Sequence, residues 1–195
     1  INTKGRAVIA AQFGFTGEFS DGLAPVSNNK GYGFINHAGQ FVIHPRFARA
    51  GSFSGEASLA LVGTSDRWDH WGYIDRTGTI VIPAKFDLAR PFSGGTAAVR
   101  LGGKWGIINS EGEYLVEPKF DEIQIRHGEG PRKVRFGQKY GFIDEAGRFV
   151  IKPSFDDAGE FQEGMASVRI GKRCGYINRI GQVVIAPQFL TCQDG

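Results

Sequence analysis

Four histidines, His37, His44, His70 and His127, are the side chains of this sequence best suited to proton transfer. Imidazole changes charge near neutral pH and also ligates metals. Their spacing supports neither role, because none stands at metal-ligand distance along the chain from another His or Cys. His37 falls in the turn-type segment Asn36-His37-Ala38-Gly39, where a solvated side chain is expected. The two cysteines, Cys174 and Cys192, are too few for a disulfide framework and form no Cys-x-x-Cys metal pair. Asp156-Asp157 could serve as an acid pair or a calcium ligand. Asp87 and Asp121 stand at the equivalent place, so the expected role is to accept backbone hydrogen bonds in a connection. No nucleophile elbow, phosphate loop or zinc signature occurs. The reading is therefore of a non-enzyme, with no catalytic residue, metal or cofactor expected.

Binding chemistry is better represented. Arg100, Arg135 and Arg169 share one column and should pair across a tight hairpin with Trp105, Tyr140 and Cys174. An Arg over Trp or Tyr forms a cation–π stack worth roughly 0.5–1 kcal/mol at an exposed site. A column repeated in every unit is read first as surface structure, and second as a row gripping an anionic or aromatic ligand. Two segments break the pattern. Gly63-Thr64-Ser65-Asp66-Arg67-Trp68-Asp69-His70 lengthens one hairpin, and an aromatic, charged loop is a natural contact surface. Gln124-Ile125-Arg126-His127-Gly128-Glu129-Gly130-Pro131-Arg132-Lys133 replaces a linker seen elsewhere as Phe92-Ser93-Gly94-Gly95-Thr96-Ala97. The candidate binding residues are Trp68, Asp69, His70, Arg126, His127, Arg132 and Lys133. The bland readings are a Trp68 folded back on a neighbouring unit and a solvated basic surface.

What positions these residues is a repeat. Five segments align: GYGFINHAGQFVIHPRF from Gly31, HWGYIDRTGTIVIPAKF from His70, KWGIINSEGEYLVEPKF from Lys104, KYGFIDEAGRFVIKPSF from Lys139 and RCGYINRIGQVVIAPQF from Arg173. A partial sixth, INTKGRAVIAAQF, opens the chain. One glycine recurs at Gly33, Gly72, Gly106, Gly141 and Gly175, in steps of 39, 34, 35 and 34 residues. A second recurs at Gly39, Gly78, Gly112, Gly147 and Gly181, and a closing phenylalanine at Phe13, Phe47, Phe86, Phe120, Phe155 and Phe189. So many columns in register identify a tandem repeat.

Each column implies local structure. Asn36-His37-Ala38-Gly39 and Asp75-Arg76-Thr77-Gly78 suit a type I turn closed by a left-handed glycine. Gly102-Gly103, Gly137-Gln138 and Gly171-Lys172 mark a second, tighter hairpin. Each unit should hold three antiparallel strands, the third ended by proline, with a polar linker such as Asp156–Phe161 leading onward. No sustained helical period exists. The expected fold is all-β: three-stranded antiparallel meanders in tandem, stacked as an open array, with a closed propeller-like ring as the alternative. The organisation is a single array over residues 1–195, with a partial unit 1–30, units starting near 31, 70, 104 and 139, and a truncated unit 173–195.

The unit Trp-Gly-Tyr-Ile-Asp-x-x-Gly-x-x-Val-Ile-Pro-x-x-Phe resembles the WG repeat, a bacterial β repeat of similar period. The likeness spans nearly the whole chain. The naming Trp stands only at Trp71 and Trp105; Tyr32, Tyr140 and Cys174 replace it elsewhere, and Cys174 points to a less packed final unit. The resemblance implies an interaction module and carries over no catalytic residue.

Composition agrees. Twenty-nine Gly and 16 Phe in 195 residues favour short strands and tight turns. A net charge of +3 is too mild to indicate nucleic acid by itself. No apolar run reaches the length of a membrane span. The expected function is protein–protein interaction within a larger bacterial protein, the alternative being a glycan- or nucleic-acid-binding module.

Overall fold

The computed structural model describes residues 9, 12–54, 58–64, 70–124 and 130–192. Among these residues there is no helix, and five four-stranded antiparallel sheets follow one another along the chain. The first holds β1 (Phe15–Thr16), β2 (Ala24–Asn28), β3 (Gly31–Ile35) and β4 (Phe41–Phe47), in that order. The second holds β5 (Arg49–Ser54), β6 (Leu59–Gly63), β7 (Trp71–Ile74) and β8 (Ile80–Phe86). The third holds β9 (Leu88–Ala89), β10 (Thr96–Leu101), β11 (Lys104–Asn109) and β12 (Tyr114–Phe120). The fourth holds β13 (Glu122–Ile123), β14 (Arg132–Phe136), β15 (Lys139–Ile143) and β16 (Phe149–Phe155). The fifth holds β17 (Asp157–Ala158), β18 (Met165–Ile170), β19 (Arg173–Asn178) and β20 (Val183–Phe189). The described residues fall into two compact units, Ile1–Gly102 with Ile108–Tyr114, and Gly103–Ile107 with Leu115–Gly195.

The all-β tandem repeat stands, with two corrections to the unit. Each sheet has a fourth strand, most often of two residues, where the sequence pattern reads as a linker. After the closing phenylalanine one residue turns the chain, and the next strand starts at once: Phe47 to Arg49, Phe86 to Leu88, Phe120 to Glu122, Phe155 to Asp157. Asp157 and Ala158, read as linker, pair with Arg169 and Val168. So short a segment shows no alternation of its own, which is why periodicity misses it. The second correction concerns proline. Pro45, Pro118, Pro153 and Pro187 do not end their strands, which run on to the phenylalanine. The register shifts there, at a bulge where the ladder needs no donor, and proline fits such a position.

That bulge explains the glycine of the Trp-Gly pair. A Cβ built on Gly33, Gly72, Gly106 or Gly141 would lie 2.5–2.6 Å from the carbonyl oxygen of Ile43, Ile82, Val116 or Ile151. Only a residue with no side chain lets the two backbones approach so closely. The other hairpin is built as its sequence implies. Gly39, Gly78, Gly112, Gly147 and Gly181 all have φ between 75° and 89°, and each donates its N–H to the Asn or Asp three residues earlier. That Asn or Asp side chain also accepts the N–H of the residue four positions on, as in Thr79 to Asp75 at 2.9 Å and Arg148 to Asp144 at 2.8 Å.

Sheets are joined face to face by apolar side chains. In the first unit, Leu23, Phe34, Ile43 and Phe47 pack with Phe53, Ala60, Val62 and Ile74 of the next sheet. Tyr73, Ile82 and Phe86 then pack with Ala89, Phe92, Ala97, Val99 and Ile108. In the second unit, Phe142, Ile151 and Phe155 pack with Ala158, Phe161, Ala166, Val168 and Ile177. Each small sheet thus buries its apolar face only against its neighbour, the condition under which repeat arrays are stable.

Candidate interaction surface

Charge that recurs in the repeat is engaged in the scaffold. Asp121 pairs with Lys104 and accepts the N–H of Gly137 at 2.8 Å. Asp156 pairs with Lys139 at 2.5 Å and accepts the N–H of Gly171 at 2.6 Å. At these two junctions a carboxylate thus ties the chain after the closing phenylalanine to the tight turn of the next sheet. The backbone-acceptor role expected for this column is realised. Hydrogen bonding to the lysine, then to the glycine, holds both carboxyls below the usual carboxylate range.

The arginine column keeps its expected cross-strand register, with Arg135 opposite Tyr140 and Arg169 opposite Cys174. Its polar partners are carboxylates on the short first strand: Arg135 meets Glu122 at 3.2 Å, and Arg169 meets Asp157 at 3.4 Å. The residue before the closing phenylalanine places a cation over rings at several junctions. Arg46 lies 5.1 Å over Phe47, Lys85 lies 5.3 Å over Phe86 and 5.4 Å over Tyr114, and Lys119 lies 5.2 Å over Phe120 and 5.9 Å over Phe149. Arg46 also donates to the Gly78 carbonyl at 2.6 Å. This column therefore spans junctions between sheets.

Of the residues expected to bind, Trp68, Asp69, Arg126 and His127 lie outside the described residues. His70 is exposed at the base of the long hairpin in the first unit, with φ of 68°, and its carbonyl accepts the N–H of Thr64 at 3.2 Å. Arg132 and Lys133 begin β14 in the second unit, both half-buried. The Lys133 ammonium donates to the Ala158 carbonyl at 2.8 Å and sits 5.5 Å over the Tyr140 ring, so it ties the fourth sheet to the fifth. His37 stacks on Phe19 with ring centroids 4.2 Å apart, and remains exposed. Among the described residues no group of three or more His, Cys, Asp or Glu is placed to hold a metal ion. No helix there is long and apolar enough to cross a membrane.

The cysteines require a correction. Cys174 and Cys192 form a disulfide with Cα atoms 5.5 Å apart, and Cys174 itself is 2% exposed, while the final unit around it is less buried than the others, with Phe189 47% exposed. The signal was in the spacing. Cys174 occupies the Trp-Gly aromatic column, and Cys192 follows it by 18 residues. Ala50, Ala89, Ile123 and Ala158 follow Tyr32, Trp71, Trp105 and Tyr140 by the same interval. Trp71 and Ala89 belong to one core cluster, and Tyr140 and Ala158 to another. The disulfide thus replaces an aromatic-to-alanine pair that the repeat uses elsewhere.

The family model described as WG containing repeat matches residues 1–32, 32–68, 71–105, 105–125, 140–174 and 175–189. The chain belongs to the WG-repeat family. Five of the six WG matches, all but residues 1–32, contain one bulge glycine and one turn glycine described above. No curated protein sequence matches this WG chain. Among solved structures it is similar to the extracellular domain of a protein described as a hybrid two component system from B. thetaiotaomicron, with TM-score 0.45 and 9% identity over 88% of this chain and 28% of that one. It is similar to KlHsv2 with loop 6CD replaced by a Gly-Ser linker, with TM-score 0.46 and 13% identity over 89% and 64%. It is also similar to PorZ of Porphyromonas gingivalis, a surface component of the type-IX secretion system, with TM-score 0.44 and 10% identity over 91% and 26%. The chain spans less than two thirds of each of these solved chains.

Proposed function

We propose that the chain is a non-catalytic WG-repeat module that binds another protein, within a larger bacterial protein. One observation carries this reading. The charge that recurs from unit to unit is used to hold sheets together, through Asp121, Asp156, Arg46 and their partners. Individual character is left to the segments that break the repeat, Gly63–His70 and Gln124–Lys133. Aromatic and arginine side chains in such segments are the usual anchors of protein interfaces. The disulfide supports an oxidising compartment as the place of action.

The test is binding from a lysate of the source organism. The wild-type chain is compared with a Trp68→Ala, Arg126→Glu double variant at low and moderate salt, with bound material identified by mass spectrometry. A specific protein retained in moderate salt and lost in the variant is expected. Nucleic acid that washes off in salt would instead indicate phosphate contacts. Salt-insensitive glycan binding that quenches tryptophan fluorescence would place the chain among carbohydrate-binding modules. Either result overturns the protein-partner reading.

A further inference from the structure

The third sheet, in the interior of the chain, breaks a pattern that the fourth and fifth sheets keep. Arg100, Arg135 and Arg169 hold one column of the repeat, each opposite the second residue after a closing phenylalanine: Leu88, Glu122 and Asp157. In the fourth and fifth sheets that residue neutralises the arginine. Arg135 Nε donates to Glu122 at 3.2 Å, and Arg169 Nη2 donates to Asp157 at 3.4 Å. In the third sheet the residue is Leu88, which has no side-chain acceptor. Asp87 stands one residue earlier, in the column of Asp121 and Asp156, and its N–H donates to the Arg100 carbonyl at 2.9 Å. That bond holds the Arg100 backbone and leaves the guanidinium aside.

Arg100 is half-buried, and its Nε is cut off from solvent with no hydrogen-bond partner among the described residues. Arg135 uses the same atom to hold Glu122. A buried donor without an acceptor is costly, and a guanidinium satisfies it best with a carboxylate, through parallel bonds from Nε and Nη. Leu88, opposite Arg100, is half-buried and presents apolar surface. An aliphatic residue next to an incoming carboxylate covers that surface, whereas an inorganic anion leaves it in water. The other arginines of the column already hold carboxylates of their own chain, and Ser27 and Gly63 take the column in the first two sheets. Within this column the vacancy for an anion is therefore confined to the third sheet.

We propose that Arg100 receives an Asp or Glu side chain from an acidic segment of the partner protein, in the position that Glu122 fills for Arg135. The inference rests on the protein-partner reading above and gives that partner a chemistry. The incoming carboxylate meets the buried Nε, and an aliphatic neighbour in the same segment packs on Leu88. The chain's own fourth and fifth sheets are the template for the contact, with the carboxylate supplied in trans instead of from the short first strand.

Fluorescence anisotropy on the whole oxidised chain tests this, with a labelled peptide of Glu and Leu residues as the probe and the same peptide with Gln for Glu as its control. Wild type should bind the Glu peptide and not the Gln peptide. Arg100→Gln should raise the dissociation constant by about tenfold or more. Leu88→Glu, which supplies the carboxylate in cis, should do the same, while the uncharged Leu88→Gln binds nearly as wild type. Arg135→Gln removes an equal charge from a site that Glu122 already fills, and it should also bind as wild type. Urea unfolding checks that each variant is folded. No binding of the Glu peptide, equal losses in Arg100→Gln and Arg135→Gln, or a folded Leu88→Glu variant that binds like wild type would each overturn the proposal. So would a single-stranded oligonucleotide of equal charge that binds more tightly than the peptide and is lost in Arg100→Gln, since the site would then be one for phosphate. The protein-partner reading fails separately, through the lysate experiment with Trp68→Ala and Arg126→Glu, a variant that keeps both Arg100 and Leu88.

Discussion

Replacing Gly147 with alanine tests how the sheets are held together. Gly147 has φ of 75°, and a Cβ added there would overlap Val116 Cγ2 and lie 3.0 Å from Val116 Cβ, across the junction between the third and fourth sheets. Two costs combine. The left-handed backbone costs a non-glycine residue about 1–2 kcal/mol. Overpacking a filled junction costs about 1–3 kcal/mol more. Gly171 separates the two, because its φ is 60° but nothing lies within 4 Å of its added Cβ. Gly171→Ala should therefore lose only the first cost, about 1–2 kcal/mol. Gly147→Ala should lose about 2–5 kcal/mol. Urea unfolding of both variants reads the difference, and Val116→Ala in the Gly147→Ala background should recover part of it, as contacting residues couple. Equal losses in the two variants, or no coupling to Val116, would refute the claim that turn glycines set the spacing between sheets.

Reduction of the disulfide, or Cys174→Ser, should lower stability by about 3 kcal/mol, the loop-closure value for a separation of 18 residues; an unchanged denaturation midpoint in reductant would count against it. Asp121 and Asp156 titrate below their ordinary value in the folded chain, so their stabilisation is full above the unfolded carboxylate pKa of about 3.9 and is lost as pH falls through the lower folded values. The acid limb of a stability–pH curve should accordingly flatten in an Asp121→Asn, Asp156→Asn double variant, and an identical limb would contradict the clamp. Tyr73 is fully buried, donates to the Arg90 carbonyl at 2.6 Å, and its phenol is pushed far above the usual tyrosine range by desolvation. Its folded pKa lies above the unfolded one, so its contribution is full below about pH 10 and fades at higher pH. Ultraviolet titration should show a tyrosine that ionises only on unfolding, and that step should vanish in Tyr73→Phe.

The repeat, its turns and its low helix content were legible because each is local. A turn needs a short polar acceptor and a glycine at fixed offsets, and Asn36-His37-Ala38-Gly39 supplies both. The Asp156 column was legible for the same reason, since a carboxylate one residue past a strand end has backbone donors within reach. The two-residue strand Asp157–Ala158 was not, because it exists only through pairing with β18. Lys133 read as part of a basic binding cluster, yet its ammonium is taken up by Ala158, which is distant in sequence. The cysteine pair was legible only after alignment to the aromatic column, since two thiols 18 residues apart meet when a junction folds one strand start over another.

Periodic residue types by themselves determined the all-β class, the WG unit and the places where that unit is interrupted, because steric demands of turns and bulges act within a few residues. The tertiary structure alone decided which side chains serve the junctions. The Trp-Gly glycine is required by the approach of a carbonyl from another strand, and the closing phenylalanines are buried only where a next sheet covers them. That dependence on a neighbour is why Phe189, which holds the same repeat position as Phe155, is exposed while Phe155 is core.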